Sequence, residues 1–306
     1  MGSDYQEVLR KLRKRLSREE SRRDDQSSDT AALQSLGSPE ERDMAAKSQY
    51  QLAKEACAKG DFSSGRDHAA AVERLAPSDR SLRTLNSQRL TLLKQRPNVM
   101  DAPSAFDPGV VHVDGLGDVV VLGRYEARGR RGGLTEAVLL LKKAPEELDS
   151  DQRNARETLI DRLGLIMWEA LKRTAIGRTA DVLIPVPPDF ERFSTRLYHP
   201  PDATAKALSK YSTIPTALDV LIKLRPTRSL RGLSGRSERE IEIRGSMGVS
   251  EANSHIIQGK CALVVDDVVT YGTHFREAKG VLIGAGAGSV HAIALATAHG
   301  HPTRFS

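Results

Sequence analysis

Apolar residues in the first third of the chain recur at the spacing of α-helices. Val8, Leu9, Leu12 and Leu16 are separated by arginines and lysines, which predicts a basic amphipathic helix within residues 4–29. Further along, the same periodicity predicts three more helices, at residues 44–59, 63–75 and 79–95. Residues 1–96 are therefore expected to form an all-helical region.

The middle of this region resembles a single tetratricopeptide-like hairpin. Small alanines lie at the expected helix contacts, Gly60-Asp61-Phe62 forms the turn, and Pro77 follows the second helix. Stable arrays of this kind need about three repeats, and one is visible. We therefore expect a helical hairpin that packs on the rest of the chain or on a partner, not a solenoid.

The remaining two thirds alternate between two kinds of apolar pattern. Residues 97–109 are rich in Pro, Gly and Asp and predict a linker. Beyond it, predicted strands lie at residues 110–113, 119–125, 180–186, 217–224, 247–249, 261–265 and 289–297. Predicted helices lie at residues 151–174, 201–210 and 275–284, and residues 134–143 form one more apolar run. This alternation favours an α/β domain over residues 110–306, with a largely parallel central sheet flanked by helices.

Composition narrows the class of protein. The 306 residues carry a formal charge of +6 and a pI near 9.3, a balance that suits a solvated basic surface, nucleic-acid binding or anionic substrates. The two cysteines, Cys57 and Cys261, fall in different predicted elements, so a disulfide framework or a cysteine zinc site is excluded. A reducing cytoplasm is the expected location. No apolar run reaches the length of a membrane span.

Residues 261–274, CALVVDDVVTYGTH, carry the clearest chemical pattern. A buried strand is predicted to end in Asp266 and Asp267, a turn containing Gly272 follows, and a helix begins at Phe275. Backbone N–H groups at such a turn can bind a phosphate, and the carboxylates can accept hydrogen bonds from ribose hydroxyls. Because ligands of open α/β sheets bind beyond the carboxyl ends of the strands, the pattern predicts a phosphate-sugar site.

This stretch resembles the phosphoribosyl-diphosphate-binding signature of type I phosphoribosyltransferases. Two upstream segments, at residues 184–208 and 231–247, are similar in the same order to segments of the competence-protein-F-like (ComF-like) members of that group. The likeness covers about residues 110–298. The chain departs from the family at Tyr271 and His274, where Thr or Ser is usual, and at Glu242, where the family has Asn. The family's N-terminal zinc-binding cysteines are absent, and the helical region stands in their place.

The resemblance implies a function and a set of site residues. The implied ligand is 5-phosphoribosyl 1-diphosphate with Mg²⁺, and the implied reaction transfers the phosphoribosyl group to a base or amine with loss of diphosphate. Asp266 and Asp267 would be catalytic and would ligate the metal, and Arg196 would be a third catalytic residue. The expected substrate-binding residues are Val268, Val269, Thr270, Tyr271, Gly272, Thr273, His274, Pro187, Arg192, Arg231 and Arg239.

Other functions stay open. The chain could bind a phosphosugar or nucleotide without catalysis and serve a nucleic-acid-linked process, such as DNA uptake or phage defence, through its basic N-terminal helices. It could also be an adaptor that docks a protein through the hairpin, and a homodimer is left open. Aromatic residues make up only 4% of the chain, and no base-stacking pair identifies the acceptor.

Overall fold

The computed structural model describes residues 38–59, 61–95, 106, 108–126, 133–189, 198–228, 230, 233, 235–299 and 302–305. The predicted basic helix of residues 4–29 and most of the predicted linker lie outside these ranges. Among the helices that are described, none is both long and apolar enough to cross a bilayer.

Three helices form the N-terminal region: α1 (Pro39–Ala58), α2 (Phe62–Leu75) and α3 (Arg80–Gln95). They confirm the predicted helical pattern. Ser38 and Glu41 form a capping box at the start of α1, and Asp61 caps α2 by accepting a hydrogen bond from the Ser64 N–H. A Cβ at Gly65 would lie 2.7 Å from the Cys57 Sγ, so the close packing of α1 on α2 requires glycine there.

The helical region packs on the rest of the chain. Tyr50 and Leu82 belong to the same buried apolar cluster as Val182 and Val264 of the central sheet. The sequence predicts that the hairpin packs on the rest of the chain or on a partner, and packing on the rest of the chain is observed.

The central sheet has six strands in the order β3-β6-β7-β2-β1-β8. Strands β3 (Val182–Pro185), β6 (Cys261–Val269), β7 (Ser289–Thr297) and β2 (Gly117–Val121) run parallel. Strands β1 (Gly109–Val113) and β8 (Thr303–Arg304) are antiparallel to their neighbours. The predicted largely parallel α/β sheet is confirmed, and the carboxyl end of β3 lies beside Val265, the residue before the paired acids in β6.

The remaining described helices lie beyond residue 108. They are α4 (Gly133–Leu141), α5 (Ser150–Lys172), α6 (Ile176–Thr179), α7 (Pro200–Ser212), α8 (Arg236–Ile243) and α9 (Thr273–Gly284). Short 3₁₀ turns lie at Pro145–Glu147 and Ser254–Ile256. The apolar run at 134–143 is thus helical. One apolar cluster joins α4, α5 and α7 to the sheet and buries Trp168, while a second places Phe275 of α9 against the sheet.

Two predicted strands lie outside the parallel sheet. β4 (Leu221–Lys223) and β5 (Met247–Val249) pair with each other as a separate antiparallel ribbon. The strand predicted over residues 217–224 is therefore shorter than expected and does not alternate with helices in the main sheet. The reason is burial: only the first residue of each of these strands is buried, whereas central parallel strands are covered on both faces.

Candidate functional site

The paired acids lie within strand β6, not after it. The strand continues through Asp266 and Asp267 to Val269, because Val268 and Val269 still pair with Ala296 and Thr297 of β7. This corrects the expectation that the strand ends at residue 265. Both acids nevertheless lie in its last four residues, at the edge of the sheet where ligands of open α/β folds bind.

Each of the two carboxylates faces a basic side chain. Asp266 is only 7% exposed; its Oδ1 accepts a hydrogen bond from the Asp267 N–H at 2.8 Å, and its Oδ2 lies 3.5 Å from His274 Nδ1. The Asp267 Oδ2 lies 2.9 Å from Lys142 Nζ, which comes from the end of α4. Each carboxylate therefore has a basic side chain within 3.5 Å.

The turn after β6 depends on Gly272. Its φ of +69° is in the left-handed region, and a Cβ there would lie 2.4 Å from the Val113 Cγ1. Gly272 is the N-cap of α9, which begins at Thr273, two residues earlier than predicted. The N–H groups of the first helical turn are thus at the end of the loop, next to the paired acids.

Thr273 carries an unsatisfied polar atom in this turn. The residue is 6% exposed, and its hydroxyl has no hydrogen-bond partner among the described residues. Buried hydroxyls are nearly always hydrogen-bonded, so this one retains the capacity to bond to a ligand or to water. Thr273 also borders a cleft of about 380 Å³ between α8, α9 and the turn that joins β1 to β2.

Tyr271 is held between two other side chains. Its ring lies 4.5 Å from the ring of His299, and Arg239 Cζ lies 5.1 Å from its centroid. Arg276 donates hydrogen bonds to the Tyr271 carbonyl at 2.7 Å and to the Asp114 carbonyl at 3.2 Å. The loop is therefore fixed both by its side chain and by its backbone.

The proline-rich turn at residues 185–188, which follows β3, lies beside the paired acids. Pro185 ends β3, Pro187 is buried, and the N–H of Val186 donates to the carbonyl of Val265 at 2.9 Å. This bond brings the start of the turn next to Val265, the residue that precedes the paired acids. Arg192 and Arg196 lie outside the described residues, and their roles stay predictions.

Residues 225–243 form a basic segment, and its described arginines have partners within the chain. The Glu242 carboxylate accepts hydrogen bonds from the Arg228 backbone N–H and the Arg228 Nε, each at 2.8 Å. The Glu242 carbonyl accepts a hydrogen bond from the Arg225 guanidinium. These hydrogen bonds from Arg228 hold the pKa of Glu242 below its usual range. Glu242, which replaces the family's Asn, thus anchors one end of the segment.

A second set of ion pairs holds α8 against the β1–β2 turn. Arg236 contacts Asp114 at 3.0 Å and Glu240 at 2.9 Å, and Arg276 contacts the same Glu240 oxygen at 2.7 Å. The hydrogen bond from Arg236, followed by the charge of Arg276, lowers the pKa of Glu240. Arg239 remains placed over Tyr271, and the neighbouring Arg231 lies outside the described residues.

Sequence reasoning missed four residues of this region. Lys142, Glu242, Asp189 and His299 all contact predicted site elements; Asp189, for example, accepts hydrogen bonds from the N–H and the hydroxyl of Thr227 at 2.9 Å. The terminal lysines of the apolar run at 134–143 were the only signal for Lys142. No cluster of three or more His, Cys, Asp or Glu side chains suited to a metal ion occurs in the described part of the chain.

No family model matches the chain. Competence protein F of Haemophilus influenzae is 28% identical over 127 residues, which are 42% of this chain and 55% of that protein. The chain thus spans about half the length of the curated relative it matches. This relative confirms the predicted resemblance to ComF-like proteins, and the observed parallel sheet is the fold class that the resemblance implies.

Two solved structures overlap with much of the chain at low similarity. One is the glutamine phosphoribosylpyrophosphate amidotransferase from B. subtilis complexed with ADP and GMP, with 20% identity, a TM-score of 0.29 and coverage of 60% of this chain and 35% of that one. The other is described as the allosteric regulatory enzyme of purine biosynthesis, with 16% identity, a TM-score of 0.29 and coverage of 64% and 44%.

Proposed function

We propose that this chain binds 5-phosphoribosyl 1-diphosphate at the carboxyl end of β6 and transfers the phosphoribosyl group to a base or amine. The observation that carries the proposal is the loop directly after the paired acids. There, Gly272 in a left-handed conformation leads into a twelve-residue helix whose first side chain, Thr273, has a buried and unpartnered hydroxyl.

The loop of residues 270–274 would hold the 5-phosphate. The N–H groups at the start of α9 have no partner within the helix, and the helix dipole favours an anion there. The Thr273 hydroxyl would gain the hydrogen-bond partner that it lacks. Thr270 and His274 flank the same turn and would add side-chain donors.

Asp266 and Asp267 would hold the ribose by accepting hydrogen bonds from its hydroxyls. The same pair suits Mg²⁺, which prefers one or two carboxylates together with substrate phosphates and water over a cage made only of protein ligands. When bound, Mg²⁺ would neutralise the diphosphate as it leaves. Because Lys142 contacts Asp267, its ammonium and an incoming cation would compete for that carboxylate.

The transfer step breaks the bond between ribose C1 and a diphosphate oxygen. The acceptor nitrogen forms the new bond to C1 and loses its proton, and diphosphate leaves with the electron pair. Positive charge near the diphosphate lowers the barrier to such a step. Arg239, which lies over the ring of Tyr271, is our candidate for this role among the described arginines, and Arg192, Arg196 and Arg231 are the further candidates from the sequence.

Calorimetry on the full chain tests the binding claim. We expect wild type to bind phosphoribosyl diphosphate in the presence of Mg²⁺ and the Asp266→Asn/Asp267→Asn variant to bind at least about tenfold more weakly, which corresponds to about 1.4 kcal/mol. Asp67→Asn, on the exposed surface of α2, is the matched control. No binding by wild type, or equal binding by the double variant, would sink the proposal.

Turnover needs a separate assay. Labelled phosphoribosyl diphosphate is incubated with a panel of bases and amines, and release of diphosphate is followed. Acceptor-dependent release that the double variant lacks supports a transferase. Binding without release in any mixture favours the non-catalytic alternative.

A further inference from the structure

We propose that Lys142 neutralises Asp267 in the ligand-free protein and moves to the diphosphate when the ligand and its cation take that carboxylate. This inference rests on the proposed function and concerns a residue that is not among the site residues implied by the family resemblance. It is carried by the contact between Lys142 and Asp267 and by the surroundings of that pair.

The backbone of Lys142 is firmly placed. Its N–H donates to the carbonyls of Val138 and Leu139 at 3.2 and 3.1 Å, which closes the last turn of α4. Val138 and Leu141 are fully buried in the cluster between α4 and the sheet. The side chain therefore extends from a fixed point, and only its flexible four-carbon stem can reposition the ammonium.

The pair is neither a surface contact nor a sealed core pair. The Lys142 side chain is 21% exposed and the Asp267 side chain 18%, and their charged atoms are 2.9 Å apart. Among the described residues, Asp267 is the only carboxylate that forms an ion pair with Lys142. This geometry holds the ammonium in the site while leaving it a route to solvent or to a ligand.

Lys142 competes with a divalent cation for the same carboxylate oxygen. Lys142 contacts Asp267 Oδ2, and a second cation bound to that oxygen would be repelled by the ammonium at short range. The incoming ligand brings a diphosphate with several negative oxygens, which offers the displaced ammonium a new partner. An ammonium on a flexible stem serves phosphate as a mobile point charge.

The test compares Lys142→Met with Lys143→Met in the full-length chain. Methionine keeps an unbranched apolar side chain without the charge, and Lys143 is the exposed neighbouring lysine that leaves the site untouched. Circular dichroism first establishes that both variants unfold at the temperature of wild type. The first readout is Mn²⁺ binding in the absence of ligand, followed by electron paramagnetic resonance. The second is phosphoribosyl diphosphate affinity at saturating Mg²⁺, measured by calorimetry.

We expect Lys142→Met to bind Mn²⁺ alone at least about tenfold more tightly than wild type, and to bind phosphoribosyl diphosphate at least about tenfold more weakly. Lys143→Met should match wild type in both. If wild type binds the ligand and Lys142→Met matches Lys143→Met, the inference is overturned while the proposed function stands. Tighter Mn²⁺ binding with unchanged ligand affinity also overturns the role toward the diphosphate. If wild type binds no ligand, the proposed function fails and takes this inference with it.

Discussion

A lysine–aspartate ion pair lies near each end of strand β6. The two pairs differ in burial and in the number of further hydrogen bonds that their charged atoms form. Near its amino end, Lys54 Nζ lies 2.6 Å from Asp181 Oδ1 and 2.8 Å from the Thr179 carbonyl, and Asp181 Oδ2 accepts from the Cys261 N–H at 2.8 Å. These side chains are 7% and 11% exposed. Near the carboxyl end, the side chains of Lys142 and Asp267 are more exposed, at 21% and 18%, and lack such backbone partners among the described contacts.

The difference separates a structural pair from an exchangeable one. At the amino end, the Thr179 carbonyl and the Cys261 N–H complete the hydrogen bonding of the pair. The pair thereby fixes α1 to the sheet. At the carboxyl end, the same two residue types form a single contact beside a phosphate-type turn. Ligand chemistry is expected at the second location because that edge of an open parallel sheet faces the ligand crevice.

The largest effect is expected from breaking the amino-end pair. Asp181→Ala leaves the Lys54 ammonium buried without its counter-charge, which costs about 3–5 kcal/mol of unfolding free energy. Asp267→Ala should cost no more than about 1 kcal/mol, because the Lys142 ammonium can move toward solvent. Urea denaturation of the two variants measures both values. Similar costs for the two variants would remove the distinction between the pairs.

Next in size is the effect of a side chain at Gly272. Gly272→Ala imposes strain at φ +69° and a clash with Val113, together about 1–3 kcal/mol, and it should abolish phosphate-ligand binding. Adding Val113→Ala relieves the clash but not the strain, and it removes buried methyl groups of its own, so the double variant should lose less stability than the sum of the two single variants. Gly280→Ala is the control within α9, since a Cβ there meets nothing within 4 Å, and it should stabilise by about 0.5–1 kcal/mol. A Gly272→Ala variant as stable as Gly280→Ala would contradict this account of the turn.

A smaller effect on stability, but a clear one on binding, is expected at Thr273. Thr273→Val keeps the shape and removes a hydroxyl that has no partner in the free protein, so stability should change by less than about 1 kcal/mol or rise. Affinity for phosphoribosyl diphosphate should fall about tenfold, or 1.4 kcal/mol. Thr273→Ser should keep most of the affinity. Calorimetry and thermal unfolding of both variants check this, and equal affinity of Thr273→Val and wild type would show that the hydroxyl does not meet the ligand.

The smallest expected effect is the pH dependence of stability that comes from His291 in β7. Burial, with a further contribution from the charge of Lys279, lowers the pKa of His291, which is level with Leu263 in the register of β6 and β7. A depressed histidine pKa means that the unfolded chain binds the proton more readily. The contribution of His291 to stability is therefore complete above the unfolded pKa of about 6.5 and is lost as pH falls through the folded pKa.

Urea denaturation between pH 7.5 and 5 checks this dependence. We expect wild type to lose more unfolding free energy on acidification than His291→Gln, and ligand affinity at pH 7.5 to be the same in both proteins. A steeper loss in the variant would reverse the sign of the argument.

Much of the architecture could be predicted from local pattern. The helices of residues 40–96, strand β7 at 289–297 and the strand-turn-helix around Gly272 have clear periodicity or turn chemistry, and each was located to within a few residues. The pairing of β4 with β5 could not be predicted in this way. An apolar run indicates a strand but does not say which neighbour it joins, and that choice is made by burial across the whole fold.

The site was only partly visible for a similar reason. Asp266, Asp267 and Gly272 are adjacent in sequence, so a single motif indicates them. Lys142 reaches Asp267 from more than a hundred residues away, and Glu242 gathers Arg225 and Arg228 by tertiary contacts. Long-range ion pairs leave no local pattern, so residues that hold them are found only when the fold is known.

Hydrogen–deuterium exchange on the full chain, with and without phosphoribosyl diphosphate and Mg²⁺, tests the central claim most directly. The account predicts that added ligand slows exchange in peptides covering residues 266–276 and leaves peptides of the α1–α2 hairpin unchanged. Protection confined to the hairpin, or unchanged exchange at residues 266–276 with saturating ligand, would contradict the assignment of the β6–α9 turn as the ligand site.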